Sequence, residues 1–272
     1  MPRALWSGAI SFGLVNVPVK MVSAVRDKDI HFHLLHADDG ARIKFQRVCP
    51  KDGAEVTMDE IVRGFEVSKG HYVTFTDEEL AALDPKASRS IDIQDFVKQE
   101  EIDPAFYEKP YYLLPDKGAE KAYGLLVGAL KKSKKVAVAR VVTREKEHLV
   151  AIRVKGNALV VETMRYHDEV VDTEALGEEL AGVPKADPRE LTMATQLVDA
   201  LTAKFDPEKY RNEHRERLLD VIEQKAAGKE VVTEPEVKAV TRTTNLMDAL
   251  QASLKAAKTR IATGDEDVAA EA

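Results

Sequence analysis

The chain has 272 residues, 44% hydrophobic and 32% charged, enough for one large domain or two ordinary ones with a real core. A single cysteine, Cys49, excludes an internal disulfide framework and fits a reducing cytoplasm. The net charge of −7 argues, as a total, against a nucleic-acid partner, but it is unevenly spread: +4 over residues 1–51, −9 over 52–104, +7 over 105–165 and −9 over 166–272.

The first element is the uncharged run "ALWSGAISFGLVNVPV", Ala4 to Val19. It falls short of the roughly 20 apolar residues a membrane span requires. Asn16, Pro18 and Lys20 interrupt it where an export signal would stay apolar. Ile10, Phe12 and Leu14 alternate with polar or small residues, and so do Val15, Val17 and Val19. The run therefore reads as a strand whose apolar face changes parity between Leu14 and Val15, as at a bulge or a crossing between sheets.

"IHFHLLHA" alternates as a second strand, and Asp38-Asp39-Gly40 is a hairpin turn leading into a third, "ARIKFQRV". "HYVTFT" and "SIDIQDFV" read as further strands. Between them lies a short helix, "DEELAALD", capped by Thr76 and stopped before Pro85. "KPYYLLP" is an aromatic strand bounded by prolines. The helix "GAEKAYGLLVGALKKSKK" places Ala122, Leu125, Leu126, Ala129 and Leu130 on one face and gathers lysines at its C-terminus. "KVAVARVV", "HLVAIRV" and "ALVVETMRY" are strands, the last two joined at Lys155-Gly156-Asn157. So many short strands around one helix predict an α+β chain with a β-barrel or sandwich core.

Helices take over near residue 187. Asp187-Pro188 caps and starts one whose face carries Leu191, Ala194, Leu197, Val198 and Leu201. Asp206-Pro207 repeats that start for a second, ending at Gly228. After a linker comes a third helix over 246–262, with Asn245 as cap and a narrow apolar stripe of Leu246, Leu250, Leu254, Ala257 and Ile261. The acidic stretch "TGDEDVAAEA" reads as disordered. The division expected is a core over 1–230, with a barrel to about 185 and a helical arm over 186–230, followed by linker, helix and acidic tail over 231–272.

Three kinds of chemistry compete. His36-x2-Asp39 and Cys49-x2-Asp52 have the outline of paired zinc knuckles, but structural zinc wants four Cys or His ligands and two of these are Asp. No phosphate loop, nucleophile elbow or metalloprotease helix is present, and Cys49 has no matching base nearby, so the residues require neither an enzyme nor a cofactor. The basic groups fit phosphates better. Arg42, Lys44 and Arg47 fall together, with Arg42 and Lys44 projecting from one side. Lys131, Lys132, Lys134 and Lys135 run from a helix end into a strand, with Arg140 and Arg144 beyond. No recognition helix accompanies them, so the implied contact is to the backbone and not to bases. A lysine-rich helix C-terminus is also what the helix dipole favours, so solvated faces remain the alternative.

Several long stretches resemble one family. "LWSGAISFGLVNVPVKMVSA", "FHLLHADDGARIKFQRVCPKDG", "EIVRGFEVSKGHYV", "EIDPAFYEKPYYLLPDKGAEKAY", "REKEHLVAIR" and "FDPEKYRNEHRERLLDVIEQKAAGKEVV" look like bacterial Ku, in order, from about Arg3 to Val232. The resemblance implies a homodimer whose barrel cores and bridging arms close a ring around duplex DNA ends. It also implies recruitment of an ATP-dependent DNA ligase for non-homologous end joining, with no catalysis of its own, in the cytoplasm at the nucleoid. A ring needs only a cationic lining, which reconciles the acidic total with two basic blocks. The expected lining is Arg42, Lys44, Arg47, Lys131, Lys134, Lys135, Arg140 and Arg144. The stripe of Leu246, Leu250, Leu254 and Ile261 is the expected ligase-recruiting face, unless it folds back onto the core. Certain bacterial Ku proteins carry a long Lys-rich tail, and this chain departs from them in its acidic one, which implies that it stays near ends and does not thread readily. The alternative class is a sequence-independent RNA- or chromosome-binding structural protein.

Overall fold

The computed structural model describes residues 3–83, 89–143, 146–229 and 246–263. The chain divides into two compact units, Met1–Asp172 and Thr173–Ala272.

The first unit is built on β1 (Trp6–Phe12), β2 (Val15–Ser23), β5 (Ser90–Lys98), β6 (Tyr107–Pro115), β7 (Lys135–Thr143), β8 (Lys146–Lys155) and β9 (Ala158–Met164). They close into a barrel in the order β1-β2-β6-β9-β8-β7-β5, antiparallel throughout except where β1 and β5 run parallel. Period-two alternation turns one residue in two inward: Ile10, Val17, Val19, Ile91, Leu113, Ala137, Ala139, Val150, Ile152, Leu159 and Val161 are all 0% exposed. Closure leaves no edge strand to guard.

The opening run is not one strand but a hairpin. Phe12 pairs with Val15 across a two-residue loop, with Gly13 at φ 58° and Leu14 fully exposed. Gly at the first loop position is the type II′ choice that matches strand twist. The parity change is thus the turn itself, not a bulge.

Helix α2 (Glu120–Ser133) lies across the barrel end where β6 finishes and β7 begins. It buries Tyr123, Leu126 and Leu130 in the barrel core. Leu125, expected on that face, is 70% exposed, and Tyr123 is inside instead. Its hydroxyl donates to the Leu113 carbonyl (2.7 Å) and accepts from the Leu159 amide (2.8 Å), joining β6 to β9 where their ladder ends. Tyr123→Phe leaves both buried backbone groups unpaired. It is expected to cost about 2 kcal/mol, read as a lowered urea midpoint with unchanged slope.

Between β2 and β5 the chain leaves the barrel. From residue 31 to 74 every side chain except Cys49 and Val56 is exposed. Here the two expected strands over 30–37 and 41–48 do not form. Only the isolated bridges Leu35–Arg42 and Val48–Glu55 occur, because tight turns take up the backbone hydrogen bonds. The turn at Asp38-Asp39-Gly40 is present. Beyond it, β3 (Arg63–Ser68), a strand the residue pattern did not single out, pairs with β4 (His71–Phe75) across Gly70 at φ 78°. Helix α1 (Asp77–Leu83) follows, with Thr76 and Glu79 capping each other: Glu79 N–H to Thr76 Oγ1, 3.1 Å, and Thr76 N–H to Glu79 Oε2, 2.8 Å.

The second unit contains α3 (Gly177–Leu180), α4 (Pro188–Leu201), α5 (Glu213–Ala226) and α6 (Leu246–Thr263). Asp187 caps α4 by accepting from the Arg189 and Glu190 amides, as expected. The second Asp-Pro signal is used differently. Asp206-Pro207 starts a single 3-10 turn, and α5 begins only after Asn212, whose side chain accepts from the Arg215 amide. α6 packs along α4, with Ala257 5% exposed and Leu250 and Leu254 half-buried. The Asn245 cap, the linker from residue 230 and the acidic tail lie outside the described residues. No described helix is long and apolar enough to cross a membrane.

Candidate nucleic-acid interface

The excursion from the barrel is organised by one turn used twice, thirteen residues apart. The amides of His36 and Cys49 donate to the carbonyls of Ala41 (2.8 Å) and Ala54 (2.9 Å). The amides of Gly40 and Gly53 donate back to the carbonyls of His36 and Cys49, both at 2.9 Å. Ile43 N–H to Leu34 O (3.0 Å) and Val56 N–H to Arg47 O (2.9 Å) complete the correspondence. Gly40 and Gly53 sit at φ 70° and 74°, a left-handed conformation that a Cβ would strain.

Asp39 and Asp52 lock the turns. Each accepts the amide two residues on, Ala41 (2.9 Å) and Ala54 (3.1 Å). Those amides hold both carboxyls below the usual Asp range, helped by His36 at 3.0 Å from Asp39 and by the Cys49 thiol beside Asp52. His36, Asp39, Cys49 and Asp52 therefore occupy knuckle positions but bond within their own turns. Among the described residues no three His, Cys, Asp or Glu side chains gather closely enough to hold a metal.

Arg42, Lys44 and Arg47 fill the segment between the two turns. All three are exposed, and none pairs with a described acidic group. In the same excursion Phe32 is 69%, Phe45 85% and Phe65 66% exposed.

A second cationic group lies at the end of the barrel covered by α2. Lys131 and Lys132 close that helix, Lys134 turns the chain at φ 53°, and Lys135 opens β7. Across the ladder Lys135 faces Lys98 of β5, a residue the sequence reading did not select. Like charges set opposite one another destabilise a sheet, and neither lysine has a described acidic partner. Only the β5–β7 register brings Lys98 here, and no local pattern signals it. Arg140 stands apart on the outer barrel wall, opposite Asp92 and 3.3 Å from Glu147, while Arg144 lies outside the described residues.

The fold is that of a closed β-barrel protein carrying a bare cationic and apolar excursion, with further lysines on the barrel end. The chain belongs to the Ku family: the model of the Ku70/Ku80 beta-barrel domain matches residues 11–193. It is 49% identical to the non-homologous end joining protein Ku of Anaeromyxobacter sp. strain K, over 98% of this chain and 88% of that protein. The protein of the same name from Heliobacterium modesticaldum is 47% identical over 95% of this chain and 93% of its own length. The one from Archaeoglobus fulgidus is 41% identical over 94% of this chain and its full length.

Proposed function

We propose that this protein binds double-stranded DNA ends as a homodimeric ring, without catalysis of its own, and brings a DNA ligase to the break. The observation that carries this is the excursion over residues 31–74, where Phe32, Phe45 and Phe65 are bare and Arg42, Lys44 and Arg47 pair with no described acidic group. Apolar residues bare in one copy are satisfied by a second, and cations held on a closed loop suit a duplex passing through. The relatives named for non-homologous end joining supply the context of the broken end.

The lining comprises Arg42, Lys44, Arg47, Lys131, Lys134 and Lys135, joined by Lys98 and Arg144, while Arg140 would join it only by leaving its ion pair with Glu147. The ATP-dependent ligase of bacterial end joining is the expected partner of α6, through Leu246, Leu250, Leu254 and Ile261. Half-burial of Leu250 and Leu254 against α4 means that the ligase meets α6 as part of a helix pair, not as a free helix.

A ring loads only where a duplex ends, and competition binding tests this directly. Unlabelled linear duplex should displace a labelled linear probe, while closed circular duplex and RNA should not, and sedimentation should give a dimer. Equal competition by circular duplex or RNA would favour the reading as a general RNA- or chromosome-binding structural protein.

A further inference from the structure

At the barrel end opposite α2 the interior is not filled. A cavity of about 520 Å³ opens there, inside the size range of small-molecule sites, and barrel mouths are a recurrent place for such sites. Its walls are the inward positions of the same strands, one layer above the packed core. The apolar layer is Met21, Val141, Val150 and Val161, with the Trp6 indole folded over Gly8 beside them. Above it the inward positions turn polar: Lys109 on β6, Thr143 on β7, Lys146 and His148 on β8, and Thr163 on β9.

Polar residues at consecutive inward positions are not what fills a small barrel, whose interior is otherwise packed with apolar side chains. Lys146 and His148 have no described partner. The Lys109 ammonium has, among the described residues, only Glu108, at 3.9 Å; the Thr163 hydroxyl donates to Glu108 at 3.3 Å and accepts the Lys109 amide at 3.1 Å.

The lining selects its occupant. Trp6 and Tyr111 are the aromatic residues of the lining, and stacking on an aromatic ring is tolerant of the base presented. Lys109 and Lys146 offer charge for an anion at the rim. Thr143 and the remaining acceptor sites of Glu108, which Thr163 holds in place, meet the polar edge of a base. An aliphatic chain would desolvate those same groups without satisfying them. We propose that the open barrel mouth binds an unpaired nucleotide, with its base between Trp6 and Tyr111 and its phosphate on Lys109 and Lys146. The DNA source of that nucleotide rests on the end-binding reading: it is the single-stranded overhang of a break.

Trp6 is the single tryptophan of the chain, so its fluorescence reports the cavity directly. Full-length protein would be titrated with deoxyadenosine monophosphate, with a blunt hairpin duplex, and with the same hairpin carrying a three-nucleotide overhang. The mononucleotide and the overhang should quench Trp6, and the blunt duplex should bind without quenching. Lys109→Ala with Lys146→Ala should weaken the quenching titration by about tenfold or more while leaving blunt-duplex binding in place.

Unchanged Trp6 emission in wild-type protein with the mononucleotide and the overhang would overturn the proposal without recourse to any variant. So would quenching by dodecanoate or an acidic apolar peptide in their place. Quenching by the mononucleotide together with no preference for duplex ends would leave the cavity assignment standing and remove the end-binding reading.

Discussion

Replacing Lys44 and Arg47 together by glutamate is expected to weaken binding to linear duplex at least a hundredfold at moderate salt and to flatten its salt dependence. Both side chains are exposed and pair with no described acidic group between two turns, so they lose nothing to such ion pairs when they meet phosphate. Each phosphate contact removed takes about 0.9 from the slope of log affinity against log salt. Two substitutions in each of two copies can remove four contacts, so the slope should fall by as much as about 3.6. The melting temperature should not move, because neither residue touches the core. The same substitution pair with an unchanged slope would take both residues out of the interface. Lys98→Glu should act in the same direction and more weakly, since it removes one contact per copy while relieving the repulsion with Lys135.

The barrel was legible in the sequence because alternation is a local signal. β5 to β9 follow their alternating runs, and Gly156 at φ 63° turns the last hairpin where Lys155-Gly156-Asn157 announces it. Where the reading failed, a non-local cause decided. Alternation over 30–37 and 41–48 is real, but a strand needs a neighbour, and the tight turns at Gly40 and Gly53 pull these segments off any sheet. Leu125 and Tyr123 are two residues apart on one helix, and helical periodicity favours the aliphatic one. The tyrosine is inside because its hydroxyl finds two backbone partners at a strand end, a pairing no helical wheel contains. The second Asp-Pro pair shows the limit of cap signals. It opens a turn, and Asn212 five residues on from Pro207 is the cap that starts α5.

The basic runs were legible as composition and not as a surface. Arg42, Lys44 and Arg47 share one segment, and the repeated turn that holds them is written in the matching Asp-Gly-Ala at 39–41 and 52–54. Lys98 was invisible, being 37 residues before the lysine it faces, as was the outer-wall pairing of Arg140 with Glu147. The polar ring at the barrel mouth is scattered over four strands, and only closure of the sheet gathers it.

Phe32→Glu with Phe45→Glu is expected to have the largest effect on assembly, turning a dimer into a monomer and duplex-end binding into weak, salt-sensitive attraction. These side chains are 69% and 85% exposed in one copy, so they contribute nothing to its core and their loss should not unfold the barrel. Burying a phenylalanine is worth about 1.5–3 kcal/mol. Two in each of two copies amount to about 6–12 kcal/mol, comparable with the whole free energy of a nanomolar dimer. Charges placed opposite an apolar partner add a desolvation cost in the same direction. Sedimentation across a concentration series reads the dissociation, and circular dichroism on the same samples establishes that the barrel persists. The variant differs in kind from the Lys44 and Arg47 pair, which should leave the dimer intact and lose only phosphate contacts. A variant that stays dimeric would place the interface elsewhere than at these phenylalanines. A monomer that still prefers linear over closed circular duplex would remove the ring itself, because topology could then no longer be the source of end selectivity.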